Sequence, residues 1–444
     1  TQPCATCGSG GAVTETMAYD ANGNMTSKTA FNGVTTTHAY DLTRNLETSR
    51  TEAVGTAQAR TITIQWHPTF RLPTLITEPG RTTAYTYDDT TALVTQKTVT
   101  DTASGASRTW KYTYTSQGLL ATVDGPRTDV PDVTTYGYDS AGNVTSITDA
   151  LGHVTQITNY DADGRPLTLV DPNGLTTTLS YSPRGWLTSR DVGGETTTYG
   201  YDAAGQLTRI TLPDGSYLSY TYDGAHRLIG ITDNLGNRIS YTLDAMGNRI
   251  REDVYDPSST LTQTRSRVYD ALDHLAQDIG AQSQITAYSY DENGNRTNAT
   301  DPLDHTTTNA YDALNRLVQV TDPNSGIVHY SYDTQDHLTS VTDPDNLTTS
   351  YGYDAFDDRT TVTSPDTGTT ANTYDSAGNL KTSTDAKGNL TTYTYDTLNR
   401  LTGVSYGDGG TATYTYDSGP NAIGRLVALD DASGHTQWSY DLHG

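Results

Sequence analysis

A Tyr-Asp dipeptide recurs through this chain on a fixed ruler. It stands at Tyr269-Asp270, Tyr290-Asp291, Tyr311-Asp312, Tyr332-Asp333, Tyr353-Asp354, Tyr374-Asp375, Tyr395-Asp396 and Tyr416-Asp417, each pair 21 residues after the one before. Self-similarity at a fixed period of about 20 to 50 residues is the mark of a repeat architecture. Less regular copies precede these at Tyr19-Asp20, Tyr40-Asp41, Tyr87-Asp88, Tyr138-Asp139, Tyr160-Asp161, Tyr201-Asp202 and Tyr222-Asp223. Degenerate copies keep the phase at Trp66-His67, Tyr114-Thr115, Tyr181-Ser182 and Leu243-Asp244, and a last pair stands at Tyr440-Asp441. The chain therefore reads as roughly 20 units in one array, not as the two or three globular domains its length suggests.

Composition alone points elsewhere. The net charge is −25, from 27 Lys and Arg against 52 Asp and Glu, and there are only 3 Phe. Few large apolar residues with high net charge is the signature of disorder. The 32 Tyr oppose it, because disordered tracts are poor in aromatics and have no reason to hold them in phase.

One unit defines the local structure. Residues 391–417 read TTYTYDTLNRLTGVSYGDGGTATYTYD. Thr391 to Tyr395 alternates β-branched and aromatic side chains, which predicts a strand. Asp396 to Asn399 is a turn, Leu401 to Ser405 a second strand, and Gly407 to Gly410 a second turn. Two strands and two turns fill about 21 residues, so the period is one β-hairpin with its connection. Gly or Asn three residues after the Asp accepts positive φ, and the Asp carboxylate can accept backbone N–H groups two or three residues on. Opposite turns carry their own Asp, as in Asp149-Ala-Leu-Gly152 and Asp233-Asn-Leu-Gly236. No segment has helical apolar periodicity.

The expected fold is all-β: tandem hairpins forming a spiral sheet, a hollow tube or a cocoon-like shell. About 40 strands at ~4.8 Å spacing would span roughly 190 Å if flat, and sheets that wide curl. Pairs such as Leu338/Val341 and Leu401/Val404 are three residues apart, which in a regular strand puts them on opposite faces. Both faces are then thinly apolar, with ladders such as Tyr393/Tyr395 supplying burial.

The unit Tyr-Asp-x-x-Gly-Asn/Arg-Leu/Val-Thr-x-Ile/Val-Thr-Asp resembles the YD repeat of the RHS family. Residues 138–161 and 201–223 match it closely, and the resemblance covers about residues 15–444. It extends to the repeat components of Tc toxin complexes and, more distantly, to teneurins. The resemblance implies a cocoon around a C-terminal toxic domain, with that domain as enclosed cargo and a delivery machine or Tc-type subunit as partner. It implies a secreted or surface-exposed bacterial protein exported by a dedicated system. The family's self-cleavage motif has no counterpart here, so the chain reads as a non-enzymatic internal fragment. Residues 1–14 read as a Gly/Ser-containing lead-in and 15–444 as the array. Tyr138-Asp139, Tyr201-Asp202, Tyr222-Asp223 and the eight pairs from Tyr269-Asp270 to Tyr416-Asp417 are then structural signatures.

Other motifs compete with plain explanations. Cys4-Ala-Thr-Cys7 has redox or zinc spacing, but no second ligand pair accompanies it and Gly8 to Gly11 follows as linker sequence. Asp291-Glu-Asn293-Gly-Asn295 resembles the start of a calcium loop but lacks its closing Glu, and an Asn-Gly hairpin turn uses the same residues. No catalytic constellation, cofactor or metal site is expected. The acidic surface disfavours nucleic acid as a partner, and no run is long and apolar enough to span a membrane. A surface array that binds glycans through its Tyr-rich faces is the alternative reading.

Overall fold

The structure, a computed structural model, describes residues 2–3 and 12–444. Cys4 and Cys7 lie outside the described residues. Gln2–Pro3 pairs with Ala12–Val13, and 39 further strands, from Thr16–Tyr19 to Gly434–Gln437, follow in sequence order in one unclosed antiparallel sheet. No helix occurs among the described residues. The chain divides into two compact units. Unit 1 holds residues 1–155 and 309–441, and unit 2 holds 156–308 and 442–444.

Both ends of a hairpin close with the same turn. After Tyr138, the Asp139 N–H donates to the Asn143 carbonyl at 2.9 Å, and Gly142 N–H donates to the Asp139 carbonyl at 3.1 Å. Asp139 Oδ1 accepts the N–H groups of Ala141 (2.8 Å) and Asn143 (2.9 Å), while Oδ2 accepts the Asn143 amide. At the opposite end Asp233 does the same with Leu235 and Asn237. The carboxylate thus serves the residues two and four on, a reach one residue longer than the spacing alone suggests. This is a three-residue loop whose last position is left-handed. Gly142 takes it at φ 89, where a Cβ is costly, yet Asn315 (φ 61) and Asp336 (φ 70) occupy the same place. In degenerate units another acceptor replaces the Asp: His67 Nδ1 and Thr115 Oγ1 each accept two of the turn's N–H groups, and Ser182 Oγ accepts that of Trp186.

The facing of the side chains differs from the sequence expectation. In the pairing of Ile327–Tyr332 with Leu338–Thr342, Tyr330 stands opposite Val341 and Ser331 opposite Ser340, but Tyr332 stands opposite Leu338. Thr339 is therefore an extra residue, a β-bulge. Directly paired residues share a face. Leu338 and Val341 thus lie together on the Tyr face rather than on opposite faces. The same bulge puts Leu228 and Ile231 with Tyr222 and Tyr220, and Leu401 and Val404 with Tyr395 and Tyr393. The other face is mostly polar and rich in Thr and Ser, whose hydroxyls pair across strands, as in Thr342–Thr348 and Thr300–Thr306 at 2.8 Å, with a few apolar pairs such as Ile279–Ile285.

The sheet is therefore one-sided. It nevertheless lacks a packed core: among the described residues no large side chain is fully buried. The accessible surface is 24246 Å² for a chain of 47.9 kDa, where a compact monomer of that mass would expose roughly 16,000 Å².

Candidate functional site

The repeat signature is the most elaborated set of side chains in the molecule. Its Tyr does more than fill the apolar face. The ladder between Leu317–Thr321 and Ile327–Tyr332 runs only over Gln319 to Thr321, so the Leu317 carbonyl lies beyond it. The Tyr332 hydroxyl donates to that carbonyl at 2.9 Å. Tyr222, Tyr290 and Tyr395 make the same bond to Leu207, Leu275 and Leu380. Burial pushes the Tyr290, Tyr332 and Tyr395 hydroxyls above their ordinary pKa, which keeps them protonated as donors. Tyr332→Phe is expected to cost about 1 kcal/mol, the worth of one such bond. Amide exchange within residues 317–332 should then speed up roughly fivefold. Unchanged exchange there would remove the bond from the account.

The residue four after the Asp couples one unit to the next, a role the sequence reading missed. Arg316 pairs with its own Asp312 at 2.8 Å and lies 4.9 Å over the ring of Tyr332. It also donates to the Asp333 carbonyl and to Asp336 Oδ1, both at 2.8 Å. Arg400 repeats this with Asp396, Tyr416 and Asp417. Arg227 reaches from Asp223 to the Asp244 carbonyl. His337 stacks on Tyr353 at 4.5 Å, with Asp333 on one ring nitrogen (2.9 Å) and Asp357 on the other (2.8 Å). Burial lowers the His337 pKa, but the two carboxylates outweigh it and hold His337 above its ordinary value. A cation 16 residues before the next Tyr was the available signal in the sequence.

Within unit 1, distant turns also meet. Arg60 Nη1 reaches Asp336 at 2.7 Å across 276 residues, and Arg81 reaches Asp357 at 3.1 Å across the same separation. Arg108 pairs with Asp358 and lies 4.3 Å over Phe356. Arg127, buried and held by Asp129, donates to the Asp396 carbonyl at 2.5 Å. Each Arg stands at or near an opposite turn, and each partner belongs to a Tyr-Asp turn. A cleft of about 470 Å³ borders this seam, lined on the Tyr face by Ile64, Tyr85, Lys97 and Trp110. Lys97 lies 5.1 Å over the Trp110 ring.

Of the sequence candidates, Asp291, Asn293 and Asn295 form a hairpin turn: Asp291 Oδ1 accepts the N–H groups of Asn293 and Asn295. No cluster of three metal-ligating side chains occurs among the described residues. No helix there is long and apolar enough to cross a membrane, which says nothing of strands.

A one-sided antiparallel meander, closed at most hairpins by the same carboxylate-capped turn and stitched from unit to unit by cations on tyrosines, defines a repeat-built shell protein. The family model described as Teneurin YD-shell matches residues 11–262, more than half of the chain. The RHS Repeat model matches 269–307, 311–348, 332–369 and 374–411. The chain belongs to this YD-shell and RHS-repeat family. No curated protein sequence matches it. Among solved structures it is similar to TcdB2-TccC3, at 17% identity and TM-score 0.55, over 93% of this chain and 25% of that one. It is similar also to TcdB2-TccC3-Cdc42, at 16% identity and TM-score 0.54, over 92% of this chain and 24% of that one. The chain thus spans about a quarter of the length of these neighbours, and at such identity the likeness is one of fold.

Proposed function

We propose that this chain is a non-catalytic wall segment of an RHS-type toxin shell that encloses a polypeptide cargo until delivery. The observation that carries the reading is the one-sided sheet: a Tyr, Leu and Val face on which, within each unit and among the described residues, no second layer packs. Such a face can receive an extended or partly folded chain without specific pockets, and its hydroxyls and cations tolerate polar cargo. Membership of the shell family and the fold shared with TcdB2-TccC3 support this. In this reading residues 15–444 act as one array and residues 1–14 as its lead-in. The Tyr-Asp pairs are structural, the cargo is a toxic domain of the same polypeptide, and the protein is secreted with a Tc-type subunit or secretion machine as partner.

Limited proteolysis of the native polypeptide tests it. Segments outside the repeats should resist cleavage while the repeats are folded and be cut rapidly once acid or denaturant opens the sheet. Equal sensitivity in both states would refute enclosure.

A further inference from the structure

One place on the Tyr face of unit 1 is a built pocket rather than open sheet. Its floor spans five consecutive strands, from Arg60–Trp66 to Ser107–Tyr114. Direct pairing carries one row across them: Ile64 opposite Ile76, Ile76 opposite Thr83, Thr83 opposite Val99 and Val99 opposite Arg108. The next row sets Tyr85 opposite Lys97 and Lys97 opposite Trp110. Paired residues share a face, so both rows project from one side of the sheet. The wall is the distant turn after Tyr353-Asp354. Its Ala355, Phe356 and Asp357 line the cleft, held there by Arg81 on Asp357 and Arg108 over the Phe356 ring. Floor and wall bound about 470 Å³, within the range of about 300 to 1,000 Å³ that ligand sites occupy. The lining is cationic although the chain carries a net charge of −25: Arg50, Arg81, Lys97 and Arg108 stand against Glu78 and Asp357. The three arginines are paired, Arg50 with Glu52, Arg81 with Glu78 and Asp357, and Arg108 with Asp358. Lys97 is not. Its ammonium lies 5.1 Å over the Trp110 ring, and no carboxylate pairs with it among the described residues. Arg316 and Arg400 also stack on aromatic rings, but each holds a carboxylate.

We propose that this cleft grips an acidic side chain of the enclosed polypeptide, together with an apolar neighbour. The carboxylate sits on Lys97, and the apolar groups lie among Ile64, Ile76 and Val99 beside Trp110 and Tyr85. The inference rests on the reading of the Tyr face as the one that meets the cargo. Charge names the carboxylate, because Lys97 is the cation of the lining that lacks an anion. The rest of the lining names a peptide over an acidic sugar. Glu78 and Asp357 are already engaged by Arg81, which leaves the Thr83 and Tyr85 hydroxyls and the Trp110 indole to meet a ligand's polar groups. A sugar would bury several hydroxyls there without partners, at a cost that an aliphatic or aromatic side chain does not incur.

Calorimetric titration of the 444-residue chain with N-acetyl-Phe-Glu-Phe amide and its neutral isostere N-acetyl-Phe-Gln-Phe amide tests this. The acidic peptide should bind roughly tenfold more tightly, and added salt should shrink the difference. Lys97→Met should abolish the preference and Lys97→Arg should keep it. Lys97 has no carboxylate to strand, so Lys97→Met should leave the thermal melt in place. Equal binding of the two peptides by the wild type, a preference that survives Lys97→Met, or tighter binding of methyl glucuronide than of the acidic peptide would overturn the proposal. The titration needs no cargo, so it fails or succeeds apart from enclosure. Equal binding beside a protease-protected cargo would remove the pocket and leave the shell standing. A Lys97-dependent preference beside an unprotected cargo would uphold the pocket as an acidic-peptide site and remove enclosure.

Discussion

Asp312→Ala should destabilise its part of the array by about 3 kcal/mol, the largest effect of any single turn substitution. The carboxylate is only 6% exposed and its partner Arg316 14%. Oδ1 accepts the Leu314 and Arg316 N–H groups at 2.9 and 3.0 Å, and Oδ2 accepts the guanidinium. Removing it leaves two turn amides without their acceptor and strips Arg316 of the more deeply buried of its two carboxylates, Asp336 remaining at 2.8 Å, and losing a buried partner costs more than the worth of the bond itself. Asp312→Asn keeps an acceptor for the amides and should cost about half as much. The double variant Asp312→Ala/Arg316→Met should lose less than the two single losses combined, because the guanidinium and the carboxylate it pairs with are removed together. In an array coupled through nearest neighbours, the loss concentrates locally. Hydrogen exchange should therefore report fast opening from residue 311 to about 332 and little change beyond residue 380. Uniform loosening of the whole sheet would contradict the local clamp.

Acid should unfold the protein cooperatively below about pH 4, through the same turns repeated along the chain. Hydrogen bonds from the residue four on hold Asp139, Asp223 and Asp385 below their ordinary pKa, the Asn143 and Asn389 side chains leading at two of them and the Arg227 N–H at the third. A carboxyl whose folded pKa is depressed contributes stability above its unfolded value near 3.8, and that stability is lost as pH falls through the folded value. Each turn gives little by itself, since Asp139 and Asp223 are only part-buried and Asp385 is exposed, but the contributions share one sign. Self-repulsion acts the other way: acidification from pH 7 towards the isoelectric point near 4.5 relieves a net charge of −25. The melting temperature should hold or rise slightly from pH 7 to 5 and fall steeply below 4. His337 adds a smaller opposite slope in unit 1. Its raised pKa makes its contribution full below about pH 6.5 and lost as pH rises through the folded value. Thermal melts in dilute solution across pH 3 to 8 check this, and a flat profile below pH 4 would remove the carboxylate caps from the account.

Much of the fold was legible because its determinants are local. The 21-residue step, the strand-turn-strand unit and the Asp-x-x-Gly turns depend on residues within five positions of one another, and Leu401–Ser405 and Thr411–Tyr416 stand where their alternation puts them. The facing of Leu338 and Val341 was misread because counting by two assumes a regular strand, and the bulge at Thr339 breaks the count. A bulge has no residue signature of its own here, since Thr fills regular strand positions throughout.

The sequence by itself therefore determined the repeat, the all-β class, the two turns of each unit and the absence of helical segments. These follow from propensity and period, which act over a few residues. Tertiary structure decided which face is apolar, which carbonyl each Tyr hydroxyl satisfies, and which arginine finds which turn. The seam shows why. Arg60 and Asp336 are 276 residues apart, so their meeting depends on the small twist and bend added at every hairpin between them. A slight change per unit, invisible in any single repeat, would bring Arg60 to a different turn.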